Sequence, residues 1–362
     1  MSRKNLARKI RELLTEKIRN GEYPPGSPLP SNADLQREFG VSLITANRAV
    51  CELAAAGLVY RERGRGTYVS EAVKPEKKTY RIGIVDFLDH LDNPIYNAAL
   101  NIRPQTIASH LKGMGHEVQF LDYKTVSRLE SLKNAVKKLD GLMISRSFWD
   151  LRTLANFRTL TLPMLLFNGE DISPEPFNQI IADNLPGSRE AAVQTMKYDF
   201  PGIIIVYENH SDGRNRRDAF LQALNEQGYD PDRISQYELE VAAIQRGAFS
   251  YRMGQKLCGK LPGKLLYITS DVAAFCMMEA FQDHRLTPGK DFQLLSYDNL
   301  EDCGYSPYRE PTLTTIDSQS IKMPHRAAEL MIQLIEHPAE GSLIVRIPTS
   351  LLIRKTAFNI QP

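Results

Sequence analysis

Between residues 81 and 296 the chain repeatedly sets a short, unbroken apolar run beside a longer amphipathic stretch. The strand candidates built on such runs occupy 81–86, 117–121, 141–145, 163–167, 203–207, 264–268 and 292–296. Helical spacing occupies 97–112, 127–138, 187–198, 214–227 and 272–284. An unbroken apolar run is buried on both faces, which a parallel strand achieves when helices cover both sides of its sheet. The expected fold class is therefore α/β, with doubly wound parallel sheets. Residues 80–358 exceed one such layered unit and read as two lobes. The expected division puts 80–184 and 299–322 in the first lobe, and 185–298 and 323–358 in the second. Ligands of such sheets bind beyond the carboxyl ends of the strands.

The first 70 residues have a different texture. Leu6, Ile10, Leu13, Leu14 and Ile18 fall at helical spacing, which predicts one amphipathic helix over about 3–19, stopped by Gly21 and Pro24–Gly26. Ser31, three residues before Asp34, is placed to cap a second helix that Gly40 ends. Ser42 caps a third, with Ile44, Ala49, Val50 and Leu53 as its apolar positions and Gly57 beyond its end. Only Gly40-Val41 separates the two short helices, a helix-turn-helix arrangement. Leu58-Val59-Tyr60 and Thr67-Tyr68-Val69 then flank a tight turn permitted by Gly64 and Gly66. Residues 70–79, SEAVKPEKKT, read as a charged linker. The expected domains are thus 1–70, a linker over 71–79, and 80–358.

Charge separates the same two parts. The whole chain carries 45 Lys/Arg and 43 Asp/Glu, which excludes a basic nucleic-acid coat and a polyacidic disordered chain. Residues 1–74 alone hold 13 Lys/Arg and 8 Asp/Glu, a net of +5; the remaining 288 hold 32 and 35. A basic head on a mildly acidic body points to a polyanionic partner for the head. A helix entering a DNA major groove needs small polar residues near its start, and Ser42, Thr45, Asn47 and Arg48 meet that need; Ser31, at the start of the preceding helix, joins them as a DNA-binding candidate. Arg61, Arg63 and Arg65 suit a wing reaching phosphate or the minor groove.

No apolar run reaches the ~20 residues of a membrane span, and the charged N-terminus lacks the apolar core of a secretory signal. The four cysteines share no CxxC spacing and read as reduced cytosolic thiols. No GxGxxG follows the first strand of the body, and there is no Walker loop, GxSxG or HExxH. Neither a catalytic residue, a metal nor a cofactor is called for.

The stretch from Leu6 to Val69 resembles the winged helix-turn-helix of the gluconate-repressor (GntR) class of bacterial regulators. NGEYPPGSPLPS, LQREFGVS, the AV-EL-AAGLV stretch and RGRGTYV carry the likeness. The class usually reads V-S-R-x-T-V-R at the start of its recognition helix. Here Leu43 and Asn47 stand at the two arginine positions, and Ala33 where some members carry a third. Arginine to guanine is the commonest specific contact, so a different operator preference follows, with adenine a partner for Asn47.

The body, from about Tyr80 to Thr356, resembles the effector domain of the lactose/galactose-repressor family, which is itself like periplasmic sugar-binding proteins. RIGIV then NPIY, LPMLLFN, IIADNLPGSREAA, GRNRRDAFLQAL, LLYITSD, TPGKDFQLLSYDN and EPTLTTID carry this in order. The combination resembles the arabinose-repressor group. The resemblance implies ligand roles for Arg216, with Arg217 as its competitor because Ala219 replaces the usual glycine, for Asp298 in Ser296-Tyr297-Asp298-Asn299, and for Asp271. Position after strands adds Asn93, Tyr96, Arg146, Trp149, Asn168, Glu170 and, at the first crossover between lobes, Asp183.

The reading is a cytoplasmic, homodimeric bacterial transcription regulator, most simply a repressor. A small sugar between the lobes, by resemblance a pentose or deoxyhexose, controls its hold on operator DNA. The competing readings are an α/β enzyme acting on a small sugar with an appended DNA-binding head, and a transport receptor. The first lacks a nucleophile–base pair in the sequence; the basic head argues against the second.

Overall fold

The computed structural model describes residues 3–72, 78–85, 94–145, 151–167, 169, 171–240, 246–306 and 309–359. It divides into two compact units, Met1–Thr79 and Tyr80–Pro362. In the first, α1 (Arg3–Arg19), α2 (Asn32–Phe39) and α3 (Leu43–Ala55) precede an antiparallel hairpin of β1 (Val59–Glu62) and β2 (Gly66–Val69). A capping box opens α2: Ser31 accepts from the Asp34 amide while the Asp34 carboxylate accepts from the Ser31 amide. Gly40, at φ 60°, closes it in the left-handed conformation that a side chain would strain. Ile10, Leu14, Ile18, Leu35, Ala49, Leu53 and Val69 form the core, so all three helices and the hairpin share one apolar centre.

The second unit contains two six-stranded sheets. Its strands, in chain order, are β3 (Arg81–Val85), β4 (Glu117–Leu121), β5 (Gly141–Ser145), β6 (Met164–Phe167), β7 (Asn178–Asp183), β8 (Ile203–Glu208), β9 (Ile234–Leu239), β10 (Leu265–Ile268), β11 (Gln293–Tyr297), β12 (Thr314–Asp317), β13 (Ile344–Pro348) and β14 (Ser350–Leu352). The helices are α4 (Pro94–Gly113), α5 (Tyr123–Val126), α6 (Leu129–Val136), α7 (Leu151–Phe157), α8 (Asn184–Lys197), α9 (Ser211–Glu226), α10 (Arg246–Leu257), α11 (Asp271–Asp283) and α12 (Lys322–Glu336).

The first sheet is ordered β13-β7-β6-β5-β3-β4, parallel throughout. The second is ordered β14-β12-β11-β10-β8-β9, and only β14 runs antiparallel to its neighbour. Each sheet is covered on both faces. Helices α4 and α12 bury Ile107, Leu111, Ala327 and Met331 against one side of the first sheet, and Val126, Leu132 and Phe157 cover the other. Helices α8 and α9 cover one side of the second sheet, and α10 and α11 the other. Strand order reverses between β3 and β5 in the first sheet and between β8 and β10 in the second, which opens a crevice at each strand-end switch point.

The division between lobes differs from the one expected at residues 298 and 322. Strand β12 continues the second sheet beside β11, so that lobe extends to Asp317. Helix α12 then packs in the first lobe, not the second, and β13 joins the first sheet beside β7 before β14 returns to the second. The chain therefore crosses at Asp183–Asn184, between Asp317 and Lys322, and at Pro348–Ser350. An amphipathic helix fits either sheet equally well by its own pattern, and β12 is too short and polar to declare itself.

The capping box sets a measurable cost. Ser31→Ala should destabilise the first unit by about 1 kcal/mol. Hydrogen exchange of the α2 amides should quicken accordingly while the amides of the two large sheets keep their rates.

Candidate functional site

Two places carry chemistry, one in each unit. In the first, α3 presents its N-terminal turn to solvent. Ser42 caps it, accepting from the Thr45 amide at 3.3 Å. Thr45 is only 6% exposed and its hydroxyl lies 2.9 Å from that of Ser42, so its side chain serves the cap and lies off the open face. Ser31 is likewise committed to the α2 cap. Asn47 is held: its carbonyl oxygen accepts from Asn32 Nδ2 at 3.1 Å and from Arg61 at 2.8 Å. Arg61 is thereby tied from the hairpin to α3. Arg48 pairs with Glu52 at 3.1 Å and Arg65 with Glu62 at 3.4 Å, both in solvent where such pairs yield easily. Arg63 is exposed at the hairpin tip. The face thus combines loosely held cations with one cation fixed by an amide.

In the second unit a cavity of about 330 Å³ lies between the lobes. Arg103, Asp171, Asp183, Met323 and Arg346 line it from the first lobe; Asn184, Asp212, Asn215, Arg216 and Tyr297 line it from the second. The guanidinium of the lining residue Arg216 pairs with both Asp298 oxygens, at 2.9 and 3.2 Å. It also donates to the Thr269 carbonyl at 2.8 Å and lies 4.1 Å from the Tyr297 ring centre. These contacts span the switch point: Arg216 is on the helix after β8, Thr269 follows β10, and Asp298 follows β11. Burial opposes the charge on Arg216, yet Asp298 beside it holds the guanidinium firmly protonated.

Asp298 and Asn299 both have positive φ, 123° and 62°, a conformation that costs energy in residues other than glycine. Their surroundings impose it. Arg354 donates to Asn299 at 2.8 Å and pairs with Glu301 and Asp302. The buried Glu301 carboxylate accepts from the amides of Thr312 and Leu313. The hydroxyls of Ser318 and Ser320 donate to the Asp298 carbonyl, and Arg103 reaches across from the first lobe to both serines, at 2.7 and 3.2 Å. Burial pulls the pKa of Arg103 down, with Asp298 opposing that shift.

Of the residues singled out in the sequence, Arg216 and Asp183 line this cavity, whereas Asp298 is not in its lining and meets it only through its pair with Arg216. Asp183 also caps α8, accepting from the Leu185 amide. Arg217 points elsewhere, paired with Asp218 and 4.2 Å from the Tyr207 ring. Asp271 is fully buried beneath the site, accepting from the Leu300 amide at 2.9 Å and the Thr315 hydroxyl at 3.0 Å. Burial first, then Asp298, raises its pKa to about 7. Asn93, Arg146, Trp149, Asn168 and Glu170 lie outside the described residues, as does the side chain of Tyr96. Arg103, Asn184, Asp212, Tyr297 and Arg346 were not foreseen. Single polar residues within amphipathic patterns give no signal, although Asn184 and Tyr297 adjoin residues that were foreseen.

Residues 6–69 match the model of bacterial regulatory proteins of the gntR family, and residues 199–357 that of the periplasmic binding protein-like domain. The chain joins a GntR-type head to a periplasmic-binding-protein-like body. Along nearly its whole length it is homologous to the arabinose metabolism transcriptional repressor of Halalkalibacterium halodurans, at 22% identity over 97% of this chain and 96% of the relative. The fold is that of a LacI family transcriptional regulator from Enterococcus faecium with bound ribose, at TM-score 0.62 and 18% identity, covering 78% of this chain and all of that one. It is shared with a lac repressor dimer bound to operator and an anti-inducer, at TM-score 0.60 and 20% identity, covering 78% and 95%.

Asp271 makes the GntR-headed chain sensitive to pH. The carboxyl binds its proton more tightly folded than unfolded, so its contribution to stability is complete below about pH 4 and lost as pH rises through about 7. Against Asp271→Asn, which does not ionise, the wild type should lose on the order of 1 kcal/mol per pH unit across that window in urea denaturation. For the head, Arg65→Ala should weaken binding to all DNA sequences alike and make the slope of log K against log salt shallower by about one, read by fluorescence anisotropy.

Proposed function

We propose that this chain is a sugar-responsive transcription repressor of the bacterial cytoplasm. The head grips operator DNA through α3 and the arginine-bearing hairpin. The cleft between the lobes binds a small, hydroxyl-rich molecule, of which a pentose is the leading example and a deoxyhexose the next. The observation that carries this is Arg216 in the lining of an interlobe cavity, with Asp298 paired to it, on the same chain as a winged helix. A guanidinium only donates hydrogen bonds and a carboxylate only accepts them, whereas a sugar hydroxyl does both. The cavity volume falls in the range of small-molecule sites.

The repressor homologue and the ribose-bound structure of the same fold support this reading. A homodimer would set two heads on the two halves of a palindromic operator. Release by ligand then needs only a coupling free energy between the two sites, typically ~1–3 kcal/mol. Turnover is no part of this function. In this reading the lining carboxylates Asp171, Asp183 and Asp212 serve as hydroxyl acceptors.

Operator sequences selected from a random DNA pool, then titrated with and without a panel of monosaccharides, test the proposal. Wild type should be released by one of them. Asp298→Asn tolerates the positive φ but removes the charge; it should bind DNA normally and need roughly 5- to 150-fold more sugar, the equivalent of ~1–3 kcal/mol. A wild-type protein whose melting temperature and DNA affinity ignore every sugar in the panel would overturn it.

A further inference from the structure

The recognition helix carries two apolar side chains for which its own unit has no use. Leu43 is 51% exposed and Ile44 80% exposed, at the first two positions of α3. The core needs neither. Ala46, Ala49, Val50 and Leu53 of the same helix are 0–1% exposed and meet α1, α2 and the hairpin. Leu43 and Asn47 are spaced i, i+4, and Ile44 and Asn47 are spaced i, i+3, so the pair shares the face of α3 to which Arg61 is tied. Exposed Arg48, Arg63 and Arg65 belong to the same helix and hairpin. An apolar patch of two side chains among these cations suits a polyanion that itself displays small apolar groups. In a DNA major groove the only such group on a base edge is the thymine C5-methyl.

The amide of Asn47 strengthens the case. Reading adenine in two-toothed fashion takes both the carbonyl and the NH₂ of one amide. Here the carbonyl oxygen already accepts from Asn32 and Arg61, which uses both of its lone pairs. Asn47 is therefore a positioning residue for Arg61, and base readout at the start of the helix falls to its neighbours. We propose that Leu43 and Ile44 are specificity determinants that read thymine methyl groups, so that this head recognises T-bearing positions in its operator. The proposal rests on the DNA-binding reading above and adds which bases are read and by what.

The experiment uses the full chain and deoxyuridine, which differs from thymidine only by the missing methyl. Binding sequences are first selected from a random pool with wild type. Each thymine of the selected duplex is then replaced in turn by deoxyuridine. Wild type should lose about fourfold in affinity at one or two positions per half-site, the value of burying one methyl. Ile44→Ala or Leu43→Ala should bind the thymine and deoxyuridine duplexes equally at one of those positions, with an unchanged melting temperature because both residues lie outside the core. If wild type binds every deoxyuridine duplex as tightly as the parent, or if both variants keep the full loss at every sensitive position, the methyl reading is wrong although DNA binding stands. If no sequence is enriched and binding is independent of salt, the DNA-binding reading fails first, a different and recognisable result.

Discussion

The body is organised around one buried ion pair. Arg216 and Asp298 are 13% and 16% exposed, joined through two contacts, and they tie together the carboxyl ends of three neighbouring parallel strands. Removing two charges from water is costly, and their mutual attraction recovers that cost only when geometry and further hydrogen bonds are good. The structure supplies both. The Thr269 carbonyl and the Tyr297 ring complete the surroundings of the guanidinium, while the strained Asp298-Asn299 turn aims the carboxylate. Such a pair contributes little net stability. Its consequence is a fixed set of donors and acceptors, preorganised before any ligand arrives.

The bracing of that turn explains how a small site engages both lobes. Arg354, Glu301 and Asp302 hold it from behind, and Asp271 holds Leu300 and Thr315 from below. Ser318 and Ser320, on the connection that carries the chain back to the first lobe, hold the Asp298 carbonyl, and Arg103 of the first lobe holds both serines. A ligand that repositions Asp298 therefore acts on a hydrogen-bonded chain ending in the opposite lobe. That is a physical route for coupling, built from groups whose burial makes each bond hard to leave unsatisfied.

The head obeys a different economy of forces. Most of its apolar residues at helical spacing build one core, hydroxyls and carboxylates close helix ends, and cations lie at the surface, while Leu43 and Ile44 stay exposed at the start of α3. Ser31 and Thr45 show that a polar residue near a helix start can serve the helix cap. Asn47 shows how one amide can join α2, α3 and the hairpin, accepting from Asn32 and Arg61.

Local information settled much of this protein. Helix starts at Ser31 and Ser42, the stop at Gly40, the hairpin at Gly64 and Gly66, and seven of the parallel strands follow from period, caps and turn residues, because those are properties of a few neighbouring positions. The Arg216 and Asp298 candidates were legible through motifs adjoining strand ends. What local information left open was pairing over distance. Helix α12 shows the same amphipathic face whichever sheet it covers, and β7, β9, β12, β13 and β14 are too short or too broken by polar residues to announce a strand. Arg103 lies 215 residues from Ser318, Arg354 lies 53 from Glu301, and the contacts of Asn47 join three separate elements. The sequence by itself determined the fold class and most elements of the head, with seven strands of the body, since backbone preference and apolar period act within a dozen residues. Only the tertiary structure decided where the lobes divide, which polar side chains meet in the cleft, and which face outward, because burial and charge pairing depend on what the rest of the chain brings alongside.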